Sequence, residues 1–185
     1  SRGLGDVYKR QALLLIGFGI QDSILPIVDK QSRQLTHNDL TISLSDEKAL
    51  TMEQGLADTL DSSSAVRSWG AFYTKSTTLY NEEGGSADVS IVGAEDDARM
   101  TEYFTFRTRV GHDPIPFEED SVILTEKTAL NLELSVGDTF YVEAADGSRV
   151  PLTLTGIAEN YMFTRLYLSG AQLESLLGGT PEWNL

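Results

Sequence analysis

The sequence predicts an α+β fold: two small lobes of mixed β-sheet with flanking helices. Two hairpin signals, Gly84-Gly85 and Asp146-Gly147, each lie between segments rich in β-branched or aromatic residues. Short helical patterns with capping residues alternate with these strands. The chain has 185 residues, 41% hydrophobic and 23% charged. A chain of that size and balance can bury a core without a disulfide or a metal.

Periodicity and capping signals place the elements along the chain. Helices are predicted over residues 51–60, 96–103, 125–132 and 170–177. Strands are predicted over residues 39–44, 65–80 (one or two strands), 87–93, 121–124, 139–144, 149–159 and 161–167. An irregular, proline-containing segment over residues 104–120 separates a variable lobe, about 45–117, from a second lobe, about 118–179.

The first residues differ in character from the rest. Residues 1–11 (SRGLGDVYKRQ) show no apolar period, and we interpret them as a non-native scar. Residues 12–20 are apolar throughout but too few to cross a bilayer, which takes about 20 residues. They are either a buried helix or part of a membrane helix. The apolar stripe continues at helical spacing beyond residue 20 while polar residues appear opposite it, which favours a membrane helix ending near residue 24 and a folded domain over residues 25–185.

Charge excludes one class of partner. The net charge of −14 would repel nucleic acid, so none is expected as a partner. Anionic lipid headgroups would be repelled as well, so the acidic body is expected to stand clear of a membrane surface. The absence of cysteine excludes disulfides, thiolate nucleophiles and cysteine-based zinc sites.

No recognisable catalytic motif is present. The sequence has neither a phosphate-binding loop nor a nucleophile elbow, and His37 and His112 lack the spacing of metal ligands. We therefore expect no cofactor, no metal, no catalytic residue and no enzyme activity. A candidate partner surface is formed by four aromatic residues, although their alternation assigns about half of them to the core. These residues are Trp69, Phe72, Tyr73 and Tyr80.

A series of short motifs over residues 121–178 resembles a known family. They are Thr125-Glu126 with Ala129 and Leu132, Val136-Gly137-Asp138-Thr139, Asp146-Gly147, Thr155-Gly156-Ile157 with Glu159-Asn160-Tyr161, and Leu166-Tyr167-Leu168-Ser169. In this order they resemble the second half of the extracytoplasmic domain of FtsX-like permeases of ABC transporters, with a fold like the MacB periplasmic core. Residues 14–24 resemble the end of the first membrane helix of that family.

Several motif residues also have structural roles that the family is not needed to explain. Gly137 supplies a turn with positive φ, and Asp138 can bond its own backbone two residues on. Gly156 marks a bulge or a close backbone approach within a strand. Glu126 suits the first turn of a helix, where the helix dipole favours an acid.

The resemblance implies a function. Such a domain lies between the first two membrane helices of a permease, on the extracellular face of a cell membrane, here of a Gram-positive-type bacterium. Its partners would be a cytoplasmic ATPase subunit, a second permease copy or homologue, and an extracellular substrate or protein. The domain would couple ATP hydrolysis to export or to activation of that partner. The alternatives are a secreted binding or adhesion module and a secreted hydrolase with a dispersed site.

Overall fold

The computed structural model describes residues 26–44, 49–94, 96–144, 146–181 and 184. The strands are β1 (Phe72–Tyr80), β2 (Ser86–Ala94), β3 (Val122–Thr125), β4 (Thr139–Glu143), β5 (Arg149–Thr153), β6 (Gly156–Ala158) and β7 (Arg165–Leu168). The helices are α1 (Ala49–Ser62), α2 (Asp97–Tyr103), α3 (Glu126–Asn131) and α4 (Gly170–Leu177), preceded by a π-helical turn (Gln31–Leu35). None of the helices found in these ranges is long and apolar enough to span a bilayer. The predictions for residues 1–11 and 12–24 lie outside the described residues.

The seven strands found among the described residues belong to one mixed sheet, in the order β5-β4-β1-β2-β7-β3-β6. The pairs β2–β7 and β3–β6 are parallel, and the other four pairs are antiparallel. The predicted α+β class with a mixed sheet is thereby confirmed. The strands of the two predicted lobes are not in separate sheets, because β1 and β2 of the variable lobe lie between β4 and β7 of the second lobe.

The sheet is covered on both faces, and alternate residues of its central strands point to different cores. In β3, Val122 and Leu124 join a cluster rich in leucine, whereas Ile123 joins a cluster rich in aromatic residues. In β7, Leu166 belongs to the leucine-rich cluster and Tyr167 to the aromatic one. This period of two is the property of a strand that is buried on both faces.

Both predicted hairpins form. Gly84 takes a φ of 88° between β1 and β2, and Gly147 takes a φ of 80° between β4 and β5. Glycine reaches this left-handed region without the steric cost of a Cβ. The Asn81 side chain closes the first turn, because its Oδ1 accepts a hydrogen bond from the Gly85 amide at 2.6 Å.

Four strand predictions were wrong in extent. Residues 39–44 form no strand. The segment predicted as one strand over residues 149–159 divides into β5 and β6, at opposite edges of the sheet. Between them, the Thr155 hydroxyl bonds both the amide and the carbonyl of Val122, which draws the chain away from β4. Residues 161–164 form a turn instead of the start of β7, and residues 65–71 precede β1.

Gly156 is a site of close packing, and the atoms that approach it belong to side chains, whereas the sequence predicted a bulge or a close backbone approach. A Cβ on this residue would lie 2.8 Å from Cγ2 of Ile115 and 3.3 Å from Cγ1 of Ile123. We expect Gly156→Val to lower the free energy of unfolding by about 1–3 kcal/mol through overpacking, measured by urea unfolding. The control is Gly179→Val, because no atom lies within 4 Å of a Cβ placed there. Equal unfolding midpoints for the two variants would contradict this assignment.

Candidate functional site at the docked helix

The first described segment packs against the domain through two buried residues. Residues 26–30 are helical and continue into the π-helical turn, which ends at Leu35. Leu35 and Gln31 are each 2% exposed. After the turn, the Leu35 carbonyl accepts a hydrogen bond from the Thr105 amide at 3.0 Å, and Thr36 forms a β-bridge with Phe104. The helix is therefore fixed to the chain that follows α2.

Gln31 is the polar centre of this contact. Its Oε1 accepts a hydrogen bond from the Tyr161 amide at 3.0 Å, and its Nε2 donates to the Thr36 hydroxyl at 3.3 Å. The Gln31 carbonyl accepts from the Thr36 amide, which is the spacing of five residues that defines a π-turn. A buried amide side chain needs such partners, because an unpaired buried polar group costs about 1–3 kcal/mol.

Beneath this contact lies a buried ion pair. The Glu159 side chain is fully buried, and its Oε2 lies 2.7 Å from Nε of Arg107. The Tyr161 hydroxyl donates to the other oxygen of Glu159. Arg107 also donates from Nη2 to Oε1 of Gln34 at 3.0 Å, so the ion pair reaches the helix as well. We call the set Gln31, Arg107, Glu159, Asn160 and Tyr161 the helix-docking site.

The electrostatics of the site favour an ionised Glu159. Burial by itself raises the pKa of this carboxyl. Hydrogen bonds from Tyr161 and Arg107, together with the charges of Arg107 and His112, outweigh that effect and hold the pKa below its ordinary value. The pair is thus a charged, hydrogen-bonded structural element.

This shift predicts a specific dependence of stability on acid. A carboxyl whose pKa is lowered by folding contributes stability above its unfolded pKa, near 4.5, and that contribution is lost as the pH falls through the lower folded value. We expect the free energy of unfolding to fall more steeply below about pH 4.5 in the wild type than in Glu159→Gln, measured by denaturant titration. If the free energy of unfolding fell equally steeply with pH in the wild type and in Glu159→Gln, Glu159 would not be ionised in the folded protein.

Asn160 shapes the loop that follows. Its Oδ1 accepts hydrogen bonds from the amides of Met162 and Phe163, at 3.1 and 2.9 Å. Asparagine is favoured in such turns because its side chain bonds the backbone two residues on. The turn leaves Met162 and Phe163 exposed while Asn160 itself is buried.

A shallow cavity of about 270 Å³ opens beside Tyr161. Its lining includes Arg109, Glu126, Lys127, Leu130 and Asn160. Nε of Arg109 lies 2.6 Å from Oε2 of Glu126, and the Arg109 guanidinium lies 4.9 Å from the centre of the Tyr161 ring. Glu126, the first residue of α3, is therefore brought to the same place as residues 159–161.

The other motif residues lie elsewhere and support the fold. Gly137, with a φ of 99°, donates its amide to the Leu154 carbonyl at 2.8 Å. The Asp138 carboxylate accepts from the Ser135 amide, three residues back, so the bond predicted two residues on was wrong. Tyr167 is buried, and its ring packs against Phe106 in the aromatic core.

The candidate partner surface is not one surface. Phe72 and Tyr73 are buried, one in each core, because they begin β1 where it is covered on both faces. Trp69 precedes β1 and donates to Asp61, whereas Tyr80 ends the strand and donates to Glu143. The two half-exposed rings therefore stand at opposite ends of a nine-residue strand.

Sequence reasoning missed Gln31, Arg107 and Arg109. The signal for Gln31 was present, because Ile27, Gln31 and Leu35 are spaced by four and share one helical face. A polar residue on an apolar stripe needs a buried partner. Arg107 and Arg109 lie in an irregular segment, where no periodicity shows which side chains turn inward. Among the described residues, no three His, Asp or Glu side chains are grouped as a metal site.

No protein-family model matches this sequence, and no curated protein matches it significantly. Two similar solved structures come from ABC transporters. The extracellular domain of the noncanonic ABC-type transporter YknZ from Gram-positive bacteria is 17% identical, with a TM-score of 0.45 and coverage of 76% of each chain. The periplasmic region of MacB from Actinobacillus actinomycetemcomitans is 16% identical, with a TM-score of 0.42 and coverage of 85% of this chain and 67% of that one.

Proposed function

We propose that this chain is the extracytoplasmic domain of an ABC-transporter permease, and that the helix before Thr36 carries motion from the membrane into it. The observation that supports this proposal is the helix-docking site. The motif of residues 159–161, on which the family resemblance partly rests, is bonded to the helix that the sequence links to the membrane. This bond gives the motif a mechanical role, so no catalytic role has to be assigned to residues 159–161.

The docking site has the properties that force transmission requires. A helix transmits displacement while its backbone hydrogen bonds are intact, and its last turn must be fixed to the domain that it moves. Here Leu35 supplies buried apolar contact, and Gln31 supplies hydrogen bonds that are costly to leave unmade. Moving the helix relative to the domain would expose Leu35 to solvent and leave the Tyr161 amide without its hydrogen bond to Gln31. We infer that helix and domain move as one body.

The proposal assigns partners by their role. A cytoplasmic ATPase would supply the energy, and a second permease copy or homologue would complete the membrane part. The domain would act on a substrate or a protein outside the cell membrane. No catalytic residue is proposed in the domain itself.

Two observations test this function. The reading frame that encodes the chain should extend residues 12–24 into a full membrane helix, add further membrane helices after residue 185, and neighbour an ATPase gene. The complete permease should then co-purify with that ATPase. A stop codon soon after the codon for residue 185 would instead support a secreted binding module.

A further inference from the structure

We propose that the surface around Tyr161 binds the headgroup region of an anionic lipid bilayer. We call it the basic–apolar face and define it by the cations Lys30, Arg109 and Lys127 and the apolar residues Leu130, Met162 and Phe163. The inference rests on the proposed function only in placing the domain beside a membrane. The face is inferred from charge and exposure alone.

Four of the six residues lie around the Tyr161 side chain, and the other two follow Tyr161 in the chain. Nζ of Lys30 is 5.6 Å from the centre of the Tyr161 ring, and the Arg109 guanidinium is 4.9 Å from it. Lys127 and Leu130 line the same cavity as Tyr161. Met162 and Phe163 follow Tyr161 directly, and the Asn160 turn fixes their backbone.

The charge of this face is opposite to that of the protein. The chain as a whole carries −14, so an anionic surface is repelled by most of it. At the basic–apolar face, Glu126 is paired with Arg109, and Glu159 is buried and paired with Arg107. Asp29, the residue before Lys30, is paired with Arg33 at 2.8 Å, so the charges of Lys30 and Lys127 are not offset by these three acids. An acidic domain with one cationic face would orient at an anionic bilayer with that face towards the lipid headgroups.

The apolar residues give the face a second property that suits a bilayer. Leu130 is 70% exposed, Met162 is 54% exposed and Phe163 is 42% exposed. The Arg165 guanidinium lies 4.2 Å from the centre of the Phe163 ring, which adds a cation beside the exposed aromatic residue. Large apolar side chains flanked by cations are the composition that binds at the boundary between headgroups and acyl chains. The earlier expectation that the acidic body stands clear of lipid then applies to the remaining surface.

Vesicle binding of the full 185-residue chain tests the charge. Vesicles of phosphatidylcholine alone are compared with vesicles of equal parts phosphatidylcholine and phosphatidylglycerol. Residues 1–20 are the same in every variant, so a change in the ratio of the two affinities between variants isolates the charges that were replaced. We expect Lys30→Gln with Lys127→Gln to lower that ratio about 25-fold, from about fivefold for each cation. The control, Arg67→Gln with Lys75→Gln, removes two cations outside the face and should leave the ratio unchanged. Equal effects of the two double variants would overturn the proposal.

A second measurement tests the apolar half and does not depend on those variants. The chain has no cysteine, so Phe163→Cys can carry a single environment-sensitive fluorophore. We expect its emission to shift to the blue on phosphatidylglycerol vesicles, whereas a label at Lys75→Cys should not shift. No shift at residue 163 would overturn the proposal and leave the permease assignment standing, because that assignment is tested by the reading frame and the ATPase.

Discussion

Replacement of Arg107 by methionine is expected to lower the free energy of unfolding by about 3–5 kcal/mol, measured by urea denaturation near neutral pH. The variant leaves the Glu159 carboxylate fully buried without its cation, and an uncompensated buried charge is strongly destabilising. It also removes the bond from Arg107 to Gln34, so the helix loses one of its contacts with the domain.

The matched control uses an exposed ion pair of the same type. Nη1 of Arg99 lies 2.7 Å from Oε2 of Glu102, and the two side chains are 42% and 46% exposed. Arg99→Met should therefore lower the free energy of unfolding by less than about 1 kcal/mol. The double variant Arg107→Met with Glu159→Leu should recover much of the loss, because it removes both charges together. A loss in Arg107→Met no greater than in Arg99→Met would show that the ion pair is not a structural element.

Leu35→Ala is the second change with a large expected effect. Leu35 is 2% exposed where the helix meets the domain, so its truncation removes buried contact and leaves a cavity. Losses of about 2–5 kcal/mol are typical of such sites. We expect a loss in this range by thermal and urea unfolding.

The control for this variant is another leucine of the same segment. Leu40 is 77% exposed, and its replacement by alanine should change the free energy of unfolding by less than about 0.5 kcal/mol. If Leu35→Ala lowered the free energy of unfolding no more than Leu40→Ala, Leu35 would not fix the helix to the domain. The proposed mechanical link between helix and domain would then be wrong.

The sequence predicted local structure well where a single residue determines it. Gly84-Gly85 and Asp146-Gly147 set both hairpins, because glycine alone enters the required φ region at no cost. Asp96 and Ser169 lie where the sequence predicts two helices to begin, and the side chain of each accepts a hydrogen bond from an amide of its own helix. These interactions span few residues and do not depend on the rest of the fold.

The predictions failed where long-range pairing decides the outcome. The alternation over residues 149–159 was read as one strand, yet Thr155 bonds Val122, 33 residues away, and the chain divides there. The single sheet could not be predicted either, because the insertion of β1 and β2 between β4 and β7 depends on pairings far apart in sequence.

Part of the candidate site coincides with motif residues to which the sequence assigned a structural role and no site. Glu126, Glu159, Asn160 and Tyr161 were identified through the resemblance, and the structure brings these four together. Their partners on the helix and on the segment after α2 were not identified. Gln31 lies 130 residues from Tyr161, and no local pattern joins them.

The central claim is that the helix and the domain form one mechanical unit, and a distance between them tests it most directly. Because the chain has no cysteine, spin labels can be placed at Ser32→Cys, on the helix, and at Asn131→Cys, at the end of α3. Pulsed electron paramagnetic resonance should give a single narrow distance in the chain, and the same distance in the complete permease with and without ATP. A broad distribution, or a distance that changes on addition of ATP, would contradict the docked helix as the link between membrane and domain.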